Sequence, residues 1–258
     1  MSLIAYTSTI QMYSMEVNNM SKMKHYYGFT TDKINIFMML LDTSGSMERD
    51  EDNMREGVRV YHESFENFSE RNSIAVSVCK FDGNFKPGEF KPLKDFDSSY
   101  YCTNGATALF YSIVEGGEIL IDYINNIIEK KHITPRVTFI VFSDGQPYND
   151  RARKADAEEM ISKLNLMGVT TVFVAFKDEI SSEFGSQLGF VATKDIRNRE
   201  DLVDFMGREL SQSCKKQSRS AKSLGANFFS HAASKSRSAH YSQATAQVLE
   251  DDSWMDDL

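Results

Sequence analysis

Apolar and polar positions alternate along most of this chain in two rhythms. From Ile34 the run "INIFMMLL" is apolar at nearly every position, as a strand reads when helices cover both faces of its sheet. Met54, Val58, Tyr61, Phe65 and Phe68 then recur at spacings of four and three, one face of an amphipathic helix. Ser73–Phe81 alternates like a strand. Pro87, Gly88 and Pro92 punctuate "FKPGEFKPLKDF", which predicts a turn and a short edge strand. Leu109, Ile113, Leu120, Ile124, Ile127 and Ile128 trace a second helix, and Gly116-Gly117 inside it predicts a kink or a break. Arg136–Phe142 is another oily strand. Ala157, Met160, Ile161 and Leu164 mark a third helix, with Gly168 as its cap. Val169–Phe176 is a fourth strong strand, "FVAT" a fifth, and Arg199 to Lys216 a last helix.

Strands that alternate with helices predict an α/β fold. The expectation is a doubly wound, mainly parallel, six-stranded sheet with helices on both faces and one antiparallel edge strand. The domain runs over residues 33–212. Residues 1–32 are irregular and form an N-terminal extension, in which Met12, Met15, Met20 and Met23 offer alternative starts. Residues 213–258 read as a Ser-rich, flexible tail. From Ser211 to Val248 stand ten serines, six Lys or Arg and no Asp or Glu, and "EDDSWMDDL" then supplies five acids in nine residues.

Composition narrows the function classes. The 258 residues carry a formal net charge of -8, so a nucleic-acid partner, which needs a basic field, is not expected. No apolar run approaches the roughly 20 residues that span a bilayer, and the N-terminus lacks the features of a signal peptide. Neither a membrane nor export is expected. Cys79, Cys102 and Cys214 cannot all pair with one another and read as reduced thiols in a cytoplasm.

The chemistry concentrates in "LLDTSGSM", where the first oily strand runs into Asp42, Ser44 and Ser46. A serine nucleophile on a tight elbow needs G-x-S-x-G, but Asp42 and Ser46 occupy the two glycine positions. An aspartyl-phosphate enzyme would need a second acid where Ser44 stands. D-x-S-x-S suits a hard cation such as Mg²⁺, which takes hydroxyl and carboxylate oxygens. Two other segments offer matching donors. "NGATAL" puts Thr107 at the mouth of the second helix, and "VFSDGQP" puts Asp144 just past the next core strand. In such sheets ligands bind at the carboxyl ends of strands, where both acids belong.

D-T-S-G-S, G-A-T-A-L and S-D-G, in this order and on these elements, resemble the von Willebrand factor A domain and its metal-ion-dependent adhesion site. The resemblance covers about Ile34 to Ser211 and is closest to bacterial intracellular members of the tellurite-resistance type. It implies Ser44 and Ser46 as direct ligands, Thr107 as a direct or water-mediated one, and Asp42 and Asp144 acting mostly through water. It implies Mg²⁺, with Mn²⁺ or Ca²⁺ as alternatives, and an open position filled by an Asp or Glu of a protein partner. The corresponding expectation is an intracellular scaffold in a bacterial or phage stress or conflict system, beside a protein kinase or phosphatase. A substrate-recruiting partner of an AAA-type ATPase is the alternative, followed by a Mg²⁺-dependent hydrolase or phosphotransferase. The chain shows no G-x-x-x-x-G-K-[ST] loop and no histidine motif for a base, so no enzyme is expected.

Some features carry two readings. Glu48, Asp50, Glu51 and Asp52 follow the motif as a second cation site or, more simply, as acids favoured at a helix N-terminus. Tyr100, Tyr101 and Tyr148 fall in the rim loops as grips for a partner or as loop packing. Trp254 among acids is a docking peptide or part of a solvated tail, and Asp252 or Asp256 offers a carboxylate that could reach the metal. Cys102, near Thr107, reads as a passive thiol.

Overall fold

The structure, a computed structural model, describes residues 24–96, 101–103, 105–145, 147–148, 150–176, 181–220, 222 and 224–230. In chain order come β1 (Asn35–Asp42), a 3-10 turn (Gly45–Asp50), α1 (Glu51–Glu63), β2 (Ile74–Phe81), β3 (Phe85–Lys86) and β4 (Lys91–Pro92). Then follow α2 (Leu109–Lys131), β5 (Arg136–Ser143), α3 (Lys154–Leu166), β6 (Thr170–Phe176), α4 (Ser182–Gln187) and β7 (Ala192–Ile196). The last helix is α5 (Arg199–Asp204), a π-helical stretch (Phe205–Leu210) and α6 (Ser211–Arg219). The sheet order is β3-β2-β1-β5-β6-β7, with β4 also on β2. β1, β2, β5, β6 and β7 are parallel, whereas β3 and β4 run antiparallel to β2.

Strand β1 is the spine. It is buried at all eight positions and is paired on both sides, Asn35 to Asp42 against Ile74 to Phe81 and Asn35 to Leu41 against Arg136 to Phe142. Its side chains alternate between two core layers. Ile36, Met38 and Leu40 pack with Leu109, Ile113 and Ile124 of α2 and Ile161 of α3. Phe37, Met39 and Leu41 pack with Met54 and Tyr61 of α1 and with Phe205, Met206 and Leu210 of the last helix. The chain leaves β1 for β2 on one side and reaches β5 on the other. The carboxyl end of β1 is therefore a switch point, where such sheets place ligands.

Five expectations change in detail. The sheet has seven strands rather than six, because the Pro/Gly segment forms two two-residue strands on the same edge. Helix α1 ends at Glu63, so Phe65 and Phe68 reach the core from the turns after it. Helix α2 is continuous through Gly116-Gly117. A Cβ at Gly116 would lie 3.0 Å from Leu40 and one at Gly117 2.4 Å from Met160, so these glycines admit close packing rather than a kink. The packed chain also continues past residue 212. Cys214, Gln217 and Ser218 of α6 are buried, as is Phe228. At the other end, residues 24–29 of the expected extension lie on the α2 layer, where Phe29 is buried and the Tyr26 N–H donates to the Phe90 carbonyl at 2.8 Å. Among the described residues no helix is long and apolar enough to cross a membrane.

Candidate metal centre

Three segments meet at the carboxyl end of β1. The first is the tip of β1 itself. Asp42 is 0% exposed. Its Oδ1 accepts from the Ser44 N–H at 2.9 Å, and its Oδ2 accepts from the Ser143 hydroxyl at 2.6 Å. These bonds aim the carboxylate past the strand end, and the Thr43 N–H, donating to the Phe81 carbonyl at 2.7 Å, prolongs the ladder to hold the turn. Ser44 and Ser46 lie 3.0 Å apart, hydroxyl to hydroxyl. The second segment follows β5, where Asp144 is buried and accepts from the Ser46 hydroxyl at 2.7 Å.

The third segment precedes α2. Its Gly105 carbonyl accepts from the Gly45 N–H at 3.0 Å, and its Thr107 carbonyl accepts from the Tyr148 N–H at 3.0 Å. Thr107 is buried. Its hydroxyl faces the serine turn across Gly145. A Cβ built on Gly145 would stand 3.7 Å from the Ser46 hydroxyl oxygen and 3.8 Å from that of Thr107. The glycine thus leaves clear a space that a side chain would fill. All five expected ligands, Asp42, Ser44, Ser46, Thr107 and Asp144, are brought to this one rim.

The charge distribution favours a cation. Burial raises the Asp42 carboxyl, hydrogen bonds from Ser143 and Ser44 pull it back and the charge of Asp144 raises it again, leaving it at about 6. Two carboxylates held together in a desolvated place repel one another, and a divalent ion reverses that sign. The donors are all oxygens, which fits Mg²⁺, Mn²⁺ or Ca²⁺ rather than a thiolate- or imidazole-seeking metal. Among the described residues no group of three His, Cys, Asp or Glu forms an alternative site. Ser46 and Gly45 are exposed while Asp42, Ser44 and Asp144 are not, so the centre opens to solvent on the serine side.

The tyrosines divide. Tyr148 stays at the rim as expected, 67% exposed, with its N–H on the Thr107 carbonyl. Tyr101, expected at the same rim as a grip, is 3% exposed instead, and its hydroxyl donates to the Asp42 carbonyl. It braces β1 from within. Its side chain is therefore part of the site's support and is not offered to a partner. Tyr100 and Trp254, with Asp252 and Asp256, lie outside the described residues. Cys102 is an exposed free thiol.

The acids after the motif have separate duties. Glu51 accepts from the Thr103 N–H at 3.1 Å and hydroxyl at 2.9 Å, and from Arg55 at 2.7 Å. These Thr103 and Arg55 contacts hold its carboxyl below the usual range. Asp52 pairs with Arg55 at 3.0 Å. Glu51 thus fastens the 101–103 loop to the start of α1. The sequence reading missed three supporting residues, Ser143, Glu51 as a loop anchor, and Asp150. A faint signal existed for Asp150, since the N-cap position of α2 is Ala108, which has no side-chain acceptor.

No protein-family model matches the sequence, and no curated protein matches it. Solved structures do. The pilus adhesin SpaC from Lactobacillus rhamnosus GG, in its open conformation, aligns at 12% identity and TM-score 0.57, over 71% of this chain and 30% of that one. A variant of the PilB minor pilin from Streptococcus sanguinis aligns at 14% identity and TM-score 0.54, over 74% and 64%. Proximal thread matrix protein 1 from the mussel byssus aligns at 14% identity and TM-score 0.53, over 70% and 46%. This chain thus spans less than two thirds of each of them. At these identities the likeness shows the fold alone: a doubly wound, Rossmann-like α/β domain of von Willebrand A type.

Proposed function

We propose that this chain is a divalent-metal-dependent protein-binding module. The observation that carries the reading is the cluster itself, with Ser44, Ser46 and Asp144 in hydrogen-bond contact around a buried Asp42. Asp42, Ser44, Ser46, Thr107 and Asp144 would hold the ion, Mg²⁺ by preference and Mn²⁺ or Ca²⁺ otherwise. A bound cation supplies a centre of residual positive charge that attracts an acidic ligand.

The protein groups do the positioning. Ser143 and the Ser44 N–H fix the Asp42 carboxylate. Tyr101 holds the Asp42 carbonyl from below. Tyr148 flanks the opening, where a partner's Asp or Glu would arrive. We assign the chain no reaction of its own, and a phosphatase assay with and without Mg²⁺ tests the rival enzymatic reading.

The finer proposal is an intracellular scaffold in a bacterial or phage stress system, serving a protein kinase or phosphatase or, alternatively, recruiting substrates to an AAA-type ATPase. Cysteine placement supports a reducing compartment. Cys79 and Cys214 lie in the two opposite core layers, where they cannot meet, and burial pushes their thiols up to about 11 and about 12. The test is affinity capture on the immobilised chain in Mg²⁺, eluted with EDTA. A protein that comes off with EDTA and is not captured by the Ser44→Ala chain is the expected result. Capture indifferent to both EDTA and the substitution sinks the proposal.

A further inference from the structure

Helix α2 is 23 residues long and starts without a cap of its own, because its N-cap residue is Ala108 and no side chain there accepts a bond. Two of its first-turn amides are nevertheless satisfied from elsewhere. The Phe110 N–H donates to Asp150 Oδ2 at 2.6 Å, and the Tyr111 N–H donates to Asp150 Oδ1 at 2.9 Å. Those are the two amides that a local Ser, Asp or Asn at the N-cap would serve. Here the acceptor arrives from some 40 residues further along the chain. The same Oδ1 accepts from the Ala152 N–H at 3.1 Å, which fixes the carboxylate from its own side.

Thr107 stands two residues before α2 begins, and Asp144 stands six residues before Asp150. The segments carrying these two candidate ligands are therefore stitched together twice, by Asp150 on the first turn of α2 and by the Tyr148 N–H on the Thr107 carbonyl at 3.0 Å. Arg151 extends the tie by donating to Asn84 at 2.7 Å, beside Asp82, whose carbonyl accepts from the Ala108 N–H at 2.7 Å. Charge adds a second reason for an acid at this point. The amino end of a helix carries partial positive charge, and α2 presents that end next to a site that must accept a cation. A carboxylate on the first turn offsets it, which a neutral cap would do less well.

We propose that Asp150 is a positioning residue of the metal centre: by capping α2 from the Asp144 loop it sets Thr107 and Asp144 in one frame and cancels the helix charge that opposes the ion. This rests on the metal reading given above. Partners that orient metal ligands without touching the metal are worth about 10- to 100-fold in affinity, and that is the expected loss of Mn²⁺ affinity in Asp150→Ala. Asp150→Asn keeps an acceptor and removes the charge, so its loss is intermediate.

The experiment titrates Mn²⁺ into the unaltered chain, both Asp150 variants and Asp156→Ala, by calorimetry, and records thermal midpoints in EDTA. Asp156 caps α3 by accepting from the Arg153 N–H at 2.8 Å, so its loss mimics a cap defect outside the tie. Lost caps lower the midpoint by about 2–4 °C in a chain of this size. The expected result is a similar midpoint drop in both alanine variants, with Mn²⁺ affinity lost only at Asp150. If Asp150→Ala fails to fold, the intermediate loss in Asp150→Asn decides. Asp150 variants that bind Mn²⁺ within about twofold of the unaltered chain would overturn the role of Asp150 alone. An unaltered chain that binds no Mn²⁺ overturns the metal reading and this inference together.

Discussion

Asp42 carries the conflict between stability and function at a single carboxyl. Its rise from the ordinary 3.8 to about 6 means that the ionised form costs roughly 3 kcal/mol at neutral pH in the metal-free domain. The sign follows from proton counting. Between about pH 4 and pH 6 the folded state holds the proton more tightly than the unfolded chain, so metal-free stability falls as pH rises through that window. Asp42→Asn removes the charge and keeps the shape, since its carbonyl can accept from Ser44 and its amide can donate to the Ser143 oxygen. The expected outcome is a higher thermal midpoint in EDTA at pH 7, a smaller fall between pH 4 and 6 than in the unaltered chain, and no response to Mg²⁺. A midpoint in EDTA that drops on substitution contradicts the assignment of Asp42 as a destabilising charge. At this scale the gathering of Asp42, Ser44, Ser46, Thr107 and Asp144 at one rim was legible, because each follows an oily strand or leads into a helix. Tyr101 and Asp150 were not. Their bonds bridge 59 and about 40 positions, and a long-range tie leaves no period in the sequence.

At several glycines the elements meet closely, and the partner's stiffness decides what restoring a side chain costs. A Cβ at Gly117 of α2 meets the flexible end of Met160, whereas one at Gly185 of α4 meets Phe173 at 2.6–2.7 Å, including its Cβ. Gly117→Ala gains helix propensity of about 1 kcal/mol while Met160 swings aside, so its stability should change by less than about 1 kcal/mol. Gly185→Ala forces a core ring to move and should cost about 1–3 kcal/mol. Denaturant midpoints of the two variants check the order, and a costlier Gly117→Ala would contradict it. The glycine pair looked like a helix breaker because propensity knows nothing of the neighbouring helix. The last helix misled in the opposite direction. Its serines read as a solvated tail, yet Ser211 and Ser218 donate back to the Gly207 and Cys214 carbonyls at 2.6 and 3.0 Å. A serine whose hydroxyl is satisfied within its own helix can be buried like a small apolar residue, and composition cannot show that.

On the scale of the whole molecule, the segment before β1 is a strap over one core layer. His25 Nδ1 accepts from the Phe90 N–H at 3.2 Å, and Phe90 stacks on Tyr123 at 3.9 Å between ring centres. Burial holds the His25 imidazole below its ordinary 6.5, with Glu89 opposing. The neutral ring is the one the fold uses, so this contact is intact above pH 6.5 and is lost as pH falls through the lowered value. Hydrogen-exchange protection factors at the Phe90 and Tyr26 amides should fall in that range in the unaltered chain and be low throughout in His25→Ala. Protection factors independent of pH in the unaltered chain would show that the strap does not depend on the neutral ring. The order of strands and helices was legible from the two rhythms of the sequence, while the strap was not, because its aromatic contacts follow neither period.

The candidate centre stands on the tip of β1, the strand enclosed on both faces and on both edges. A backbone so placed opens to solvent only when the domain unfolds as a unit. A bound ion would consequently act as a clamp on the entire fold: it binds only the folded chain, so metal should slow the exchange of the β1 amides and raise the stability of both core layers that β1 joins.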